Sequence, residues 1–326
     1  MQCRLFLSLM ILIFATFGCT IQKLKKERHH EVFEILKFYD FITERNLPKL
    51  DLKNKKSILK VNSKIPNLSY LVNVDSSLTH YFNQSKFFED QGYGIIEYLE
   101  KDYICCDFYV SGYEKGDNLH SIYGDRKFAN VYLLKDHLED NPNDNQLDWL
   151  AVFTHELTHL TQYCKKPDSI PDMFNLIIKF EEDSLFSKMI HEENEKLLKA
   201  INAIRNGEYS HCNNFIHEYL DLRHRRENLF GNEITRYESF YELIEGHARY
   251  VEYLGKMEAA KYFKNNELSY NLENEKWMYD TKIGNSYFYS SGFNKIRLLV
   301  LKNDYKFVES IIGNSNKTLN DYLELK

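Results

Sequence analysis

Excess positive charge, proline, internal repetition and long apolar runs are all missing or scarce in this chain of 326 residues. The formal net charge is -6, which leaves no electrostatic case for a nucleic-acid partner. Only 5 prolines occur, beside abundant Lys, Asn, Ile, Phe and Tyr, a bias that reflects a genome more than a special chemistry. No internal repeat and no long low-complexity segment is present, which removes solenoid and compositionally disordered architectures. The one sustained apolar run, Leu5 to Phe17, is about thirteen residues and too short for a comfortable membrane span.

That run follows Met1-Gln2-Cys3-Arg4 and precedes Gly18-Cys19, which gives residues 1–18 the three-part form of an export signal. Thr16-Phe17-Gly18-Cys19 resembles a bacterial lipoprotein cleavage box, with Thr16 where leucine is usual. Three readings stand: a lipoprotein anchored at Cys19, a simple cleaved signal, or an uncleaved N-terminal anchor. All three put the chain outside the cytoplasm, in the periplasm or at the cell surface. Lys23 to Arg28 then forms a short basic tether. Of the 6 cysteines, Cys105, Cys106, Cys164 and Cys212 remain once Cys3 is removed and Cys19 lipidated, an even number compatible with two disulfides.

What the chain does have is His155-Glu156-Leu157-Thr158-His159, set among Trp149, Val152, Phe153 and Leu160 at helical spacing. Residues four apart lie about 40° apart around a helix and about 6 Å along it, so two imidazoles can converge on one ion. Glu156 lies about 60° round the helix from His159, near enough to take a proton from a metal-bound water without ligating the metal. Asn141-Pro142-Asn143-Asp144-Asn145 supplies turn and N-cap chemistry just before it. A hydrolytic zinc site needs a third protein ligand and an open fourth position. Glu245 is the candidate, in the amphipathic stretch Tyr241 to Val251, where Gly246 and Ala248 allow close helix packing.

His155-Glu156-Leu157-Thr158-His159 together with Leu243-Ile244-Glu245-Gly246-His247-Ala248 resembles the gluzincin metallopeptidases. The resemblance implies His155, His159 and Glu245 as zinc ligands and Glu156 as general base. Tyr289-Ser290-Ser291-Gly292 matches the Tyr-x-x-Gly form of the aminopeptidase-like branch, which implies Tyr289 as oxyanion stabiliser. Tyr287 is a tyrosyl alternative close by, and a nearby His or Arg is another. The likeness covers the two motif helices and a short C-terminal segment, and 85 residues separate His159 from Glu245. The chain lacks a Gly-x-Met-Glu-Asn motif, so an aminopeptidase assignment has no support. Arg249 stands where thermolysin-like enzymes carry an aspartate, which leaves Glu238 and Glu242 as candidate partners of the ligating histidines. His247 reads as a packing or surface residue, and His217-Glu218-Tyr219-Leu220-Asp221 as a polar helix face.

Along the chain, 1–18 is the signal and 19–67 a tether with an amphipathic helix over His29 to Asn46 and a lysine-rich connector. Residues 68–165 form an α+β subdomain with expected strands at Leu68 to Val74, Tyr93 to Tyr98, Tyr103 to Tyr113 and Ala129 to Lys135, ending in the metal helix. A helical insertion spans 166–232, and 233–326 is a helical subdomain with the third ligand. The expected fold is therefore α+β and zincin-like: a small mixed or antiparallel sheet with the active-site helix, followed by a mainly helical C-terminal subdomain. The expected function is zinc-dependent hydrolysis of peptide bonds in a peptide or protein substrate, with cell-wall or other amides sharing the same chemistry. The rival from another class is a non-catalytic surface lipoprotein with a vestigial or structural zinc site that binds a partner.

Overall fold

The structure, a computed structural model, describes residues 30–32, 34–42, 44, 134–140, 142, 144–162, 180, 183–264, 286–312 and 317–324, and the backbone of six strands. The chain divides into two units: Met1–Asn46 with Asp51–Leu150, and Leu47–Leu50 with Ala151–Lys326. The export signal, Cys3, Cys19, Cys105, Cys106, Cys164 and the segment 163–179 lie outside the described residues.

In the first unit, residues 34–42 are helical, and Ile35, Leu36, Tyr39 and Ile42 are buried at helical spacing. The strands are β1 (Ser57–Asn62), β2 (Leu68–Val72), β3 (Lys86–Phe88), β4 (Ile95–Leu99), β5 (Tyr109–Ser111) and β6 (Lys127–Tyr132). Their order is β3-β4-β2-β1-β6-β5. The pairing is antiparallel except for β1 with β6, which run parallel with Leu59 opposite Ala129. β1 falls in the segment read as a lysine-rich connector. Two helices follow, α1 (Leu134–Asp140) and α2 (Gln146–Thr161). Asn145 caps α2: its side-chain oxygen accepts from the Leu147 N–H at 2.8 Å, and Asp148 Oδ2 accepts from the Asn145 N–H at 2.9 Å. This reciprocal box satisfies N–H groups that the helix start leaves orphaned.

The second unit takes in α2 from Ala151 onward and holds α3 (Ser184–Arg205), α4 (Tyr209–Phe230), α5 (Asn232–Tyr262), α6 (Ser286–Lys302), α7 (Tyr305–Ile312) and α8 (Leu319–Glu324). Asp183 caps α3 by accepting from the N–H groups of Leu185 and Phe186. One apolar core joins Leu197 and Ile201 of α3, Tyr219 of α4, Leu243 of α5, Phe293 of α6 and Leu323 of α8. A smaller one gathers Phe186, Ile190, Ile234, Tyr237 and Phe288. Cys212 is a free thiol buried in the larger core, so it enters no disulfide.

The α+β, zincin-like expectation is overturned by this architecture. Of the residues whose side chains are placed, 90% are helical and none is in a strand. The body that carries His155, Glu156, His159, Glu245 and Tyr289 is all-α among its described residues, helix packed on helix around an apolar core. The physical reason is that the long charged helices α3 to α6 bury stripes wide enough to close a core on one another, with no sheet face required. Among the described residues no helix is long and apolar enough to cross a membrane.

Candidate metal centre

His155 and His159 project from α2 one turn apart, and Glu245 comes from the middle of α5. His155 Nε2 lies 3.1 Å from His159 Nε2 and 3.3 Å from Glu245 Oε2, and His159 Nε2 lies 3.5 Å from the same oxygen. Two close helix approaches hold the three together. A Cβ on Gly255 of α5 would fall 2.2 Å from Thr154 Oγ1 of α2, and one on Gly246 would fall 2.3 Å from the carbonyl carbon of Gly292 in α6. Only a missing side chain lets the backbones come this near.

The hydrogen bonds of the rings decide which nitrogen of each carries a proton. His155 Nδ1 faces Glu252 Oε2 at 2.9 Å, and a carboxylate only accepts, so Nδ1 donates. His159 Nδ1 faces Gln162 Oε1 at 2.8 Å and also donates. As a neutral ring, each turns an Nε2 lone pair toward the other and toward the buried Glu245 Oε2. Three electron-pair donors so placed call for positive charge between them, a proton or a metal cation. Donors bound at about 2.0–2.1 Å around a tetrahedral ion sit about 3.3 Å apart, close to the three separations observed. The chemistry of the set, two imidazoles and a carboxylate, suits a divalent transition ion without singling one out.

The electrostatics agree. Burial works against an imidazolium at His155, yet the carboxylates of Glu245 and Glu252 outweigh it and raise its pKa to about 10. Burial would likewise push the Glu245 carboxyl up, but the facing imidazoles hold it well below the usual carboxylate range. The two shifts report one attraction, between the imidazoles and the carboxylates that face them. Glu156 is buried beside them; burial first, with help from Glu245 and Glu252, raises its pKa against the pull of the two histidines. One of its oxygens has no hydrogen-bond partner.

Tyr289, in the first turns of α6, stacks on His155 with ring centroids 6.1 Å apart, and the Arg249 guanidinium sits 5.0 Å from its ring centre. Burial and the nearby Glu245 charge push the Tyr289 hydroxyl's pKa up, so it stays protonated. Tyr287 is instead fully buried and donates to Glu238 Oε1 at 2.5 Å, away from the three donors.

The expectation that Glu238 or Glu242 supports the histidines is corrected. Both are locked in an ionic cluster: Arg226 Nη1 donates to Glu238 at 2.6 Å, and Lys295 Nζ to Glu242 at 2.6 Å. Glu252 is the partner of His155, and Arg249 clamps it with 2.7 and 2.8 Å hydrogen bonds to its two oxygens. Glu252 lies seven residues after Glu245, which returns to the same helical face two turns on, and that spacing was the signal available in the sequence. Gln162, three residues after His159, also went unread. His247 is buried and packs against Tyr305, and Glu218 pairs with Lys196 on the α4 surface while Tyr219 and Leu220 are buried. Compared with protein-family models, curated proteins and solved structures, the chain matches none.

Proposed function

We propose that this chain is a zinc-dependent metallopeptidase of gluzincin type, with His155, His159 and Glu245 as ligands and Glu156 as general base. The observation that carries the reading is the convergence of two imidazole Nε2 atoms and one carboxylate oxygen on one point. When bound, the ion would polarise a carbonyl and lower the pKa of water. Glu156 takes the proton of the attacking water and returns it to the leaving nitrogen. Its raised pKa matches this task, because a base that must also act as an acid works best near the operating pH. The Tyr289 hydroxyl, protonated and beside the ligands, donates to the oxygen that gains charge in the transition state. Glu252 and Gln162 hold the two rings with Nε2 presented. The same proposal places the chain outside the cytoplasm on a lipidated Cys19, and the support for that part is the N-terminal residue pattern.

Glu156→Gln keeps the shape of the side chain and removes the base. Zinc content by atomic absorption should stay at the wild-type level while hydrolysis of a mixed peptide library falls about 10²–10⁴-fold. Undiminished turnover in a fully loaded variant would reject the mechanism, and a wild-type chain that binds zinc but cleaves nothing would favour the partner-binding lipoprotein.

A further inference from the structure

Behind His159, Gln162 opens a chain of side chains whose further members the hydrolytic reading does not use. Gln162 Nε2 donates to the carbonyl of Ile244 at 2.8 Å and stands 3.1 Å from His247 Nδ1. His247 Nε2 in turn stands 2.8 Å from the Tyr305 hydroxyl in α7. The sense of the whole run is fixed by one atom, because a backbone carbonyl can only accept. Ile244 O therefore sets which end of the Gln162 amide is NH₂ and which is oxygen. The amide oxygen must then accept from His159 Nδ1, and its second N–H must donate to His247 Nδ1. With Nδ1 bare, neutral His247 carries its proton on Nε2 and donates it to Tyr305.

We propose that Gln162, His247 and Tyr305 form a one-way hydrogen-bond train that positions His159 in its Nδ1–H tautomer, leaving Nε2 free for a metal ion. This rests on the metal reading of the site. The train has a second consequence, because its anchor is the carbonyl of the residue just before Glu245. One amide thus ties the α2 ligand His159 to the α5 ligand Glu245 and sets their spacing. His247 is nine-tenths or more buried, and its ring lies parallel to that of Tyr305 with centroids 6.2 Å apart, so the rings cannot easily swivel out of register. All three are positioning residues, acting on the ion only through His159.

The test uses the full chain labelled with ¹⁵N-histidine, with two-bond ¹H–¹⁵N spectra recorded metal-free and after one equivalent of zinc, alongside zinc titrations. The expected spectra show His247 as Nε2–H in both states and His159 as Nδ1–H in the zinc form. Gln162→Glu keeps an acceptor for His159 and loses both donors. His247 should then switch to Nδ1–H and donate to the new carboxylate, while His159 keeps its tautomer. A role in packing alone would move neither. Gln162→Met, with neither donor nor acceptor, should raise the zinc dissociation constant about 10–100-fold at unchanged stoichiometry, and Tyr305→Phe should raise it several-fold. Nδ1–H on His247 in the wild type, or unaltered zinc affinity in both of the last two variants, overturns the proposal. A wild-type chain that takes up no zinc would defeat the metal reading instead, and the His247 tautomer, read without metal, still decides the train.

Discussion

Replacing Glu245 by Ala removes a carboxylate that faces both His155 Nε2 and His159 Nε2. Two histidines alone are a poor zinc site, so metal analysis of Glu245→Ala after dialysis should find the bound zinc reduced at least about tenfold from one ion per chain. Unchanged stoichiometry would remove Glu245 as a ligand. The residue scale is also where sequence reasoning reached furthest and where it first failed. His155, Glu156 and His159 share one helix, so periodicity alone puts them within reach of one another. Glu245 was singled out through its small neighbours, and Gly246 is a point where the backbone of α6 lies directly against α5. Glu252 was missed because a carboxylate becomes a histidine's partner here only through a contact across two helices, between residues 97 positions apart in sequence, and Gln162 because it lies just past the end of the motif helix.

At the scale of elements, the site depends on how closely α2, α5 and α6 pack. Gly292 shows the tolerance: a Cβ there would stand 2.3 Å from the carbonyl oxygen of Glu242, inside the backbone of α5. No flexible side chain can give way at that point, so α6 must move. Gly292→Ala should destabilise the chain by about 1–3 kcal/mol in urea denaturation. Because the shift displaces Tyr289 on the same helix, peptide turnover should fall more than zinc binding does. A variant as stable as wild type would show that the helices can separate at no cost. The Tyr-x-x-Gly pattern was read as a catalytic tyrosine with a glycine beside it; in the fold the glycine has its own work as the contact between helices.

Over the second unit as a whole, four helices meet at a buried ionic cluster. Glu193 of α3, Glu238 and Glu242 of α5 face Arg223 and Arg226 of α4 and Lys295 of α6, with Arg226 to Glu193 and Arg223 to Glu238 both at 2.6 Å. Three carboxylates balance three cations, so the cluster carries no net charge, and removing any one leaves a buried charge uncompensated. Burial opposes the Glu242 carboxylate, but Arg223 and Lys295 prevail and hold its pKa to about 2; burial opposes Glu252 too, and Arg249 with His155 hold it to about 2. Their ordinary value is near 4.5. A folded-state pKa below the unfolded one contributes stability that is complete above the unfolded value and lost as pH falls toward the folded one. Urea midpoints should therefore be level from pH 7 to about 5 and drop steeply between about 4.5 and 2. The plateau should differ little between 0.1 and 1 M NaCl, since buried pairs are weakly screened. A midpoint unchanged down to pH 3 would mean that these carboxylates are not paired in solution.

Local chemistry determined the motif helix with its Asn145 cap, the amphipathic helices that follow it, and the placing of His155, Glu156 and His159 on one helix. Those features depend on spacing along one helix or on a residue's own capping and packing preference, and both are written in order along the chain. Tertiary structure alone decided that the described part of the body around the site is helical, that Glu238 and Glu242 serve an ionic cluster, and that Glu252 and Gln162 orient the rings of His155 and His159. These are pairings between helices, set by how far two backbones approach and how each is rotated, and neither quantity is a property of a segment read alone.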